Sequence, residues 1–233
     1  MRVTVLTGAG VSTDSGIPDY RGPDGLWRRD PDHEKLVTYR YYMGDPEIRR
    51  RSWLARRDNP AWRAEPNAAH RALAGLPDAW IITQNVDGLH QRAGSPAERV
   101  LELHGNMFGA LCTACGARSR TREAVDRVLA GERDPACLAC GGILKTTTVM
   151  FGQSVDHELL ERAVELTEEC EVFLAVGSSL QVQPAASLPR VAARAGARVI
   201  IVNAEPTPFD HLADEVVREP IGLAIPQLCA SLV

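Results

Sequence analysis

Four short apolar runs mark this chain, and each ends on a polar or glycine cluster. Arg2-Val3-Thr4-Val5-Leu6-Thr7 runs into Gly8-Ala9-Gly10, and Trp80-Ile81-Ile82-Thr83 into Gln84-Asn85-Val86-Asp87. Val172-Phe173-Leu174-Ala175-Val176 runs into Gly177-Ser178-Ser179, and Arg198-Val199-Ile200-Ile201-Val202 into Asn203-Ala204-Glu205. Unbroken runs of this length predict strands buried on both faces. A helical stretch from Ala68 to Leu76 precedes the second run, and an alanine-rich stretch from Pro184 to Ala195 separates the last two. Strands alternating with helices predict an α/β protein with a parallel sheet covered on both sides. Ligands of such sheets bind beyond the carboxyl ends of the strands, so the four clusters also predict a site.

Two segments interrupt the alternation. Residues 30–65 are arginine-rich, with Asp45-Pro46 as a helix start, and predict a helical insertion. Residues 108–145 hold two Cys-x-x-Cys pairs, Cys112/Cys115 and Cys137/Cys140, with 21 residues between them. That spacing predicts four thiolates around one structural zinc, closed to catalysis because no coordination position is left open. Gly116 and Gly141-Gly142 follow the two pairs and permit tight turns. Cys170 and Cys229 have no partner pattern and are expected as buried apolar thiols.

The bulk numbers exclude some classes. A net charge of −4 over 233 residues makes no electrostatic case for nucleic acid. No apolar segment approaches the ~20 residues of a membrane span, and no signal-peptide pattern follows Met1. A reducing cytoplasm is expected, where cysteines serve as metal ligands or buried thiols.

The chemistry-bearing residues cluster at the strand ends. Gly8-Ala9-Gly10 after a strand suits a phosphate loop or simply a tight strand-to-helix turn, and Thr13 stands where a third glycine would complete the dinucleotide pattern. In Gly16-Ile17-Pro18-Asp19-Tyr20-Arg21-Gly22, the Arg21 fork can reach a phosphate, and Tyr20 can cover a sugar face. His104 has the reference pKa of a base at neutral pH, near ~6.5. Asn85 and Asp87 can position a ribose and stabilise developing positive charge. His90 is expected to support their loop, and His33, His70, His157 and His211 to be surface or capping residues.

Together these motifs resemble the sirtuins, NAD-dependent protein-lysine deacylases, and specifically their bacterial type. The resemblance runs in order through Gly8-Ala9-Gly10-Val11-Ser12, Gly16 to Arg21, Thr83-Gln84-Asn85-Val86-Asp87, His104-Gly105 and the four cysteines. It continues through Val149-Met150-Phe151-Gly152, Gly177-Ser178-Ser179-Leu180 and Val202-Asn203.

The resemblance implies a Rossmann-like doubly wound domain from 1–29, 66–107 and 146–233, and a small domain from 30–65 and 108–145. NAD and an extended acyl-lysine peptide would meet between the two. Gly8, Ala9, Gly10, Ser12, Ile17, Asp19, Tyr20, Arg21, Gln84, Asn85 and Asp87 would line the NAD site. Gly177, Ser178, Ser179, Asn203, Glu205 and Ile221 would hold its phosphates and adenosine. Asp19, Asn85 and Asp87 would form the pocket that expels nicotinamide. The substrate amide oxygen would attack the ribose, with His104 deprotonating a ribose hydroxyl, and O-acyl-ADP-ribose would leave as a product. Peptide would bind by strand addition between the segments Phe151-Gly152-Gln153-Ser154 and Gln181-Val182-Gln183-Pro184.

The chain departs from the pattern in two places. Lys145-Thr146 stands where the family commonly has Arg-Pro, and Gln153 where it has glutamate, removing a charge beside the peptide groove. Family members that remove succinyl or malonyl groups carry a Tyr-x-x-Arg pair. Aligning the Asp45-Pro46 helix start puts Trp53 at the tyrosine position and Arg56 at the arginine position. Arg56 could bind an acyl carboxylate or belong to a solvated arginine face. An ADP-ribosyltransferase and a non-catalytic NAD-sensing module stay open as alternative functions.

Overall fold

The computed structural model describes residues 1–22, 25–30 and 32–232. Six parallel strands form one sheet: β1 (Val3–Thr7), β2 (Trp80–Thr83), β3 (Val100–Glu102), β7 (Val172–Val176), β8 (Arg198–Val202) and β9 (Glu215–Val217). Their order is β3-β2-β1-β7-β8-β9. The chain therefore winds outward from β1 in one direction and from β7 in the other, the doubly wound arrangement with its switch point between β1 and β7.

Alternation within each strand builds two cores. Leu6, Phe173, Ala175, Val199 and Ile201 face one way, onto the helices His157–Glu168 and Leu188–Arg194. Val3, Val5, Val172, Leu174, Val176, Ile200 and Val202 face the other, onto Ala68–Ala74 and Ile221–Ser231. Burial on both faces is why these strands read as continuous apolar runs. Cys170 and Cys229 are buried in the first and second core, and burial pushes each thiol up to about 11.

Five strands escape an apolar-run reading. The edge strands β3 and β9 are three residues each, and only one side of each is paired. The others belong to a small antiparallel sheet, β5-β4-β6, built from β4 (Gly109–Cys112), β5 (Arg118–Arg120) and β6 (Leu144–Thr146). The helices Pro46–Arg57 and Thr121–Leu129 pack beside it. Asp45 starts the first of these as expected, with Pro46 at the first position and the carboxylate accepting from Glu47 and Ile48 amides. Trp53, Ala124, Val128 and Leu144 form a third core with Cys112 and Cys137.

The four cysteine sulfurs lie within 4.8 Å of one another. Cys112 and Cys140 are 3.5 Å apart, and Cys115 and Cys137 3.8 Å. A tetrahedron with Zn–S bonds of ~2.3 Å has edges of ~3.8 Å, so the donor set fits zinc. Gly142 is required there: a Cβ would lie 2.8 Å from the Ala114 Cβ and 3.0 Å from the Cys112 sulfur.

Candidate active site

The carboxyl ends of the large sheet face the small sheet across a cleft of about 1110 Å³. Its floor is made where the loops after β1 and β7 touch. The Gly10 amide donates to the Gly177 carbonyl at 2.8 Å, and the Gly8 amide to Val176 at 3.0 Å. A Cβ on Gly8 would stand 2.7 Å from the Gly177 oxygen, and one on Gly177, whose φ is +62°, would stand 2.4 Å from the Val11 nitrogen. These glycines are needed for backbone-on-backbone contact, and the Gly8 and Gly10 amides are already committed. The turn that follows is a 3-10 helix, Ala9–Ser15, in place of an α-helix N-terminus.

Asn85 and Asp87 leave the end of β2 buried. The Asn85 side-chain amide donates to the Gly8 carbonyl (3.1 Å) and to Ser12 Oγ (3.2 Å). Ser12 Oγ in turn donates to the Asp87 carboxylate at 2.8 Å, whose other oxygen accepts from the Leu89 amide. Asp87 therefore orients Ser12, and Ser12 orients Asn85, leaving the Asn85 carbonyl oxygen as an acceptor. Gln84 is tied to the β7 loop by its amide, which donates to Ser178 Oγ at 2.9 Å.

His104 follows β3. Its Nδ1 lies 3.0 Å from the Gln84 carbonyl, which can only accept, so Nδ1 carries the proton and Nε2 is the basic nitrogen. Burial lowers the His104 pKa below the ordinary value, and the Gln84 hydrogen bond opposes the shift in part. The ring is then neutral at physiological pH, as a proton acceptor must be.

The other histidines sort differently from expectation. His157 and His211 are exposed, as expected. His33 is half-buried and lines the cleft, a correction to its reading as a surface residue. His70 does take part in the capping box with Asn67, but it is fully buried, with its ring 4.9 Å from that of His90. Burial pushes His70 down to about 4 and His90 to about 3, so both are neutral. His90 supports the β1–β2 junction: Thr7 hands its proton to Thr83, so His90 Nε2–H donates to Thr7 at 2.9 Å.

Every sequence-predicted residue of the cofactor set borders this one cleft. Gly8, Ala9, Gly10 and Ser12 do so beside Ile17, Asp19, Tyr20, Arg21, Gln84, Asn85 and Asp87. Gly177, Ser178, Ser179, Asn203, Glu205 and Ile221 border it from the other strands. Phe151, Gly152, Gln153 and Val182 also line it. The Phe151 amide and carbonyl are already paired with Val37 and Tyr39, so Phe151 has no main-chain group left for an added strand. Sequence reasoning missed Trp27, whose ring sits 5.4 Å from Tyr20 and 5.5 Å from Phe151, with the Arg21 guanidinium 4.3 Å above it. A lone tryptophan near an arginine carries no linear signal of such a stack.

Trp53 is the exception. It is fully buried in the core of the small sheet, against Cys112 and Leu144, and does not border the cleft. The reason is helix rotation: Pro46–Arg57 turns Ser52, Ala55 and Arg56 to the cleft and Trp53 inward. Arg56 is half-buried and not part of a solvated face.

Comparison with known proteins agrees with this geometry. The Sir2 family pattern matches residues 8–184. The NAD-dependent protein deacetylase 2 of Streptomyces coelicolor is 63% identical over 99% of this chain and 97% of that protein. A solved structure described under the mechanism and regulation of Sir2 enzymes superposes with a TM-score of 0.89 at 40% identity, over 99% of this chain and 92% of that one. A Sir2 complex with a p53 peptide and NAD+ superposes at 0.87 with 32% identity, over 98% and 92% of the two chains. With a family match that spans most of the sequence and a cleft that gathers its motifs, this chain belongs to the Sir2 family.

Proposed function

We propose that the cleft removes acyl groups from protein lysines at the expense of NAD. One observation carries this reading: a histidine with a free basic Nε2 shares a single cleft with the Asn85–Ser12–Asp87 chain and the two glycine loops. The similarity to a protein deacetylase and to a peptide- and NAD-bound Sir2 structure supports it. Bound NAD would supply an activated ribose that accepts the acyl group as nicotinamide leaves.

The residues divide the work. The loops at Gly8–Gly10 and Gly177–Ser179 lie where phosphates would rest, with Asn203, Glu205 and Ile221 on the adenosine side. Asp19, Asn85 and Asp87 hold the nicotinamide end. His104 Nε2 takes the proton from a ribose hydroxyl, and Tyr20 with Trp27 excludes water. The peptide lies between Gly152-Gln153-Ser154 and Val182. In this reading 1–29, 66–107 and 146–233 bind the cofactor, while 30–65 and 108–145, held by zinc, close the cleft from above. No helix among the described residues is long and apolar enough to cross a membrane. Four thiolates kept for a metal fit a cytoplasmic setting.

Arg56 extends the range of acyl groups beyond acetyl. It lines the cleft, and its electrostatic neighbours are the Tyr42 and Tyr20 phenols, with no carboxylate among the described residues. Even a half-buried cation without a counter-ion carries a desolvation cost that an anionic ligand would offset. We therefore propose that succinyl or malonyl lysine is accepted beside acetyl lysine.

The test is nicotinamide release from NAD with matched acetyl and succinyl peptides. Both should stimulate release, and His104→Ala should abolish formation of the deacylated peptide. Arg56→Met should lower the succinyl-to-acetyl ratio of kcat/KM about 10-fold or more, the value of one hydrogen bond to a charged group. An unchanged ratio ends the acidic-acyl reading. Label passing from adenine-labelled NAD into protein, with no peptide deacylated, would replace a deacylase with an ADP-ribosyltransferase. No release with any acyl peptide, and no such labelling, would leave a non-catalytic NAD-sensing module.

A further inference from the structure

The wall of the cleft around Arg56 is lined by Thr146 and Thr148, with Lys145 behind them. Arg56 donates its Nε–H and one Nη2–H to Thr146 Oγ1, both at 3.2 Å. Both Nη1 protons go to Ser52, one to its carbonyl at 3.0 Å and one to its hydroxyl. One Nη2–H is left over.

The direction of the next hydrogen bond follows from counting. A hydroxyl oxygen accepts twice and donates once. Both acceptor positions of Thr146 Oγ1 are taken by Arg56, so its proton must go to Thr148 Oγ1, 2.7 Å away. Thr148 is then an acceptor toward Thr146, and its own proton has no partner among the described residues. Thr146 is fully buried, whereas Thr148 is half-buried and lines the cleft.

The same wall is fixed from behind. Lys145 is buried, and its Nζ donates to the Thr146 and Thr148 carbonyls, each at 2.8 Å. This pins the backbone that carries both hydroxyls. It also places a second cation behind the first, again with no carboxylate partner among the described residues. The potential at this wall favours an anion.

We propose that the Thr148 hydroxyl is a specificity-determining donor, which together with the free Nη2–H of Arg56 holds the terminal carboxylate of an acidic acyl-lysine. Trp53, turned into the core, has no part in this recognition. The two donors are linked through one oxygen, that of Thr146, so they are close enough for one carboxylate to span. Thr146 acts as a positioning residue, since it reaches the ligand only through Arg56 and Thr148. The inference rests on the acidic-acyl reading given above.

The experiment compares kcat and KM for succinyl and acetyl peptides in the full chain. Thr148→Val keeps the shape and removes the hydroxyl. It should lower the succinyl-to-acetyl ratio of kcat/KM roughly 10-fold, through KM of the succinyl peptide. Thr148→Ser, which keeps the donor, should hold the ratio within about 3-fold of the parent value. If Thr148→Val keeps the parent ratio while Arg56→Met lowers it, the Thr148 assignment is wrong and the acidic-acyl reading stands. If neither variant moves the ratio, both fall together. A drop in Thr148→Val that Thr148→Ser fails to restore would assign the effect to packing and overturn the donor role.

Discussion

Replacing Gly105 by alanine tests how rigidly His104 is held. Gly105 has φ +66°, in the left-handed region, and an added Cβ would lie 2.4 Å from the Thr147 carbonyl oxygen and 3.1 Å from its carbon. The left-handed conformation alone costs a non-glycine residue about 1–2 kcal/mol. Forcing a methyl against a fixed backbone carbonyl adds about 1–3 kcal/mol. The Thr147 carbonyl cannot swing away easily, because the backbone on either side is held by Thr147 N to Gly109 O and Val149 N to His104 O, each at 2.8 Å. Gly196 is the matched control: its φ is +83° and nothing lies within 4 Å of an added Cβ. Gly196→Ala should therefore cost only the conformational term, about 1–2 kcal/mol, and leave turnover alone. Gly105→Ala should cost about 2–5 kcal/mol in total. It should also lower kcat, up to about 100-fold for a base displaced by ~1 Å. Urea unfolding at fixed zinc, together with steady-state nicotinamide release, measures both quantities. Equal destabilisation by the two substitutions would refute the close approach. A destabilised Gly105→Ala with full kcat would refute its coupling to His104.

Two further outcomes follow from the site and the metal cluster. Metal analysis should find one zinc per chain, and chelation should red-shift tryptophan emission, because Trp53 packs against Cys112 and Cys137; emission unmoved by loss of zinc would mean that this core stands without it. Because burial lowers the His104 pKa and the base must be neutral, kcat/KM should fall as pH drops through a midpoint below the ordinary ~6.5, with full activity above it; a midpoint at or above that value would contradict the buried-base assignment.

The parts of the fold that were legible in the sequence were those with a one-dimensional signature. The four central strands are apolar on both faces, so each appears as an unbroken run that stops at a polar cluster. The cysteine spacing announced its cluster because a tetrahedral thiolate site needs two tight knuckles, and each needs its own short loop. By contrast β3 and β9 are three-residue edge strands, and β4 to β6 share a small sheet whose core is completed by Trp53 from a distant helix. Their stabilising partners lie far along the chain, and a short run carries no period.

The candidate site divides along the same line. The strand-end clusters are determined locally: a parallel sheet puts the ends of β1, β2, β7 and β8 at one edge, so the residues that follow them must meet. Which face of a helix meets the cleft is not local. Trp53 and Arg56 are three residues apart and read as neighbours, yet one is sealed in the small core and the other borders the cleft. Thr146 and Thr148 carry no motif, and only the packing of β6 against the helix Pro46–Arg57 turns their hydroxyls into a chain with a guanidinium. The sequence by itself determined the four central strands, the zinc ligands and the set of residues at the strand ends, because burial period and ligand spacing are written in neighbouring positions. The tertiary structure alone decided helix rotation, proton direction in the hydroxyl chain and the tautomer of His104. Each of those depends on which acceptor a distant segment brings within hydrogen-bonding reach.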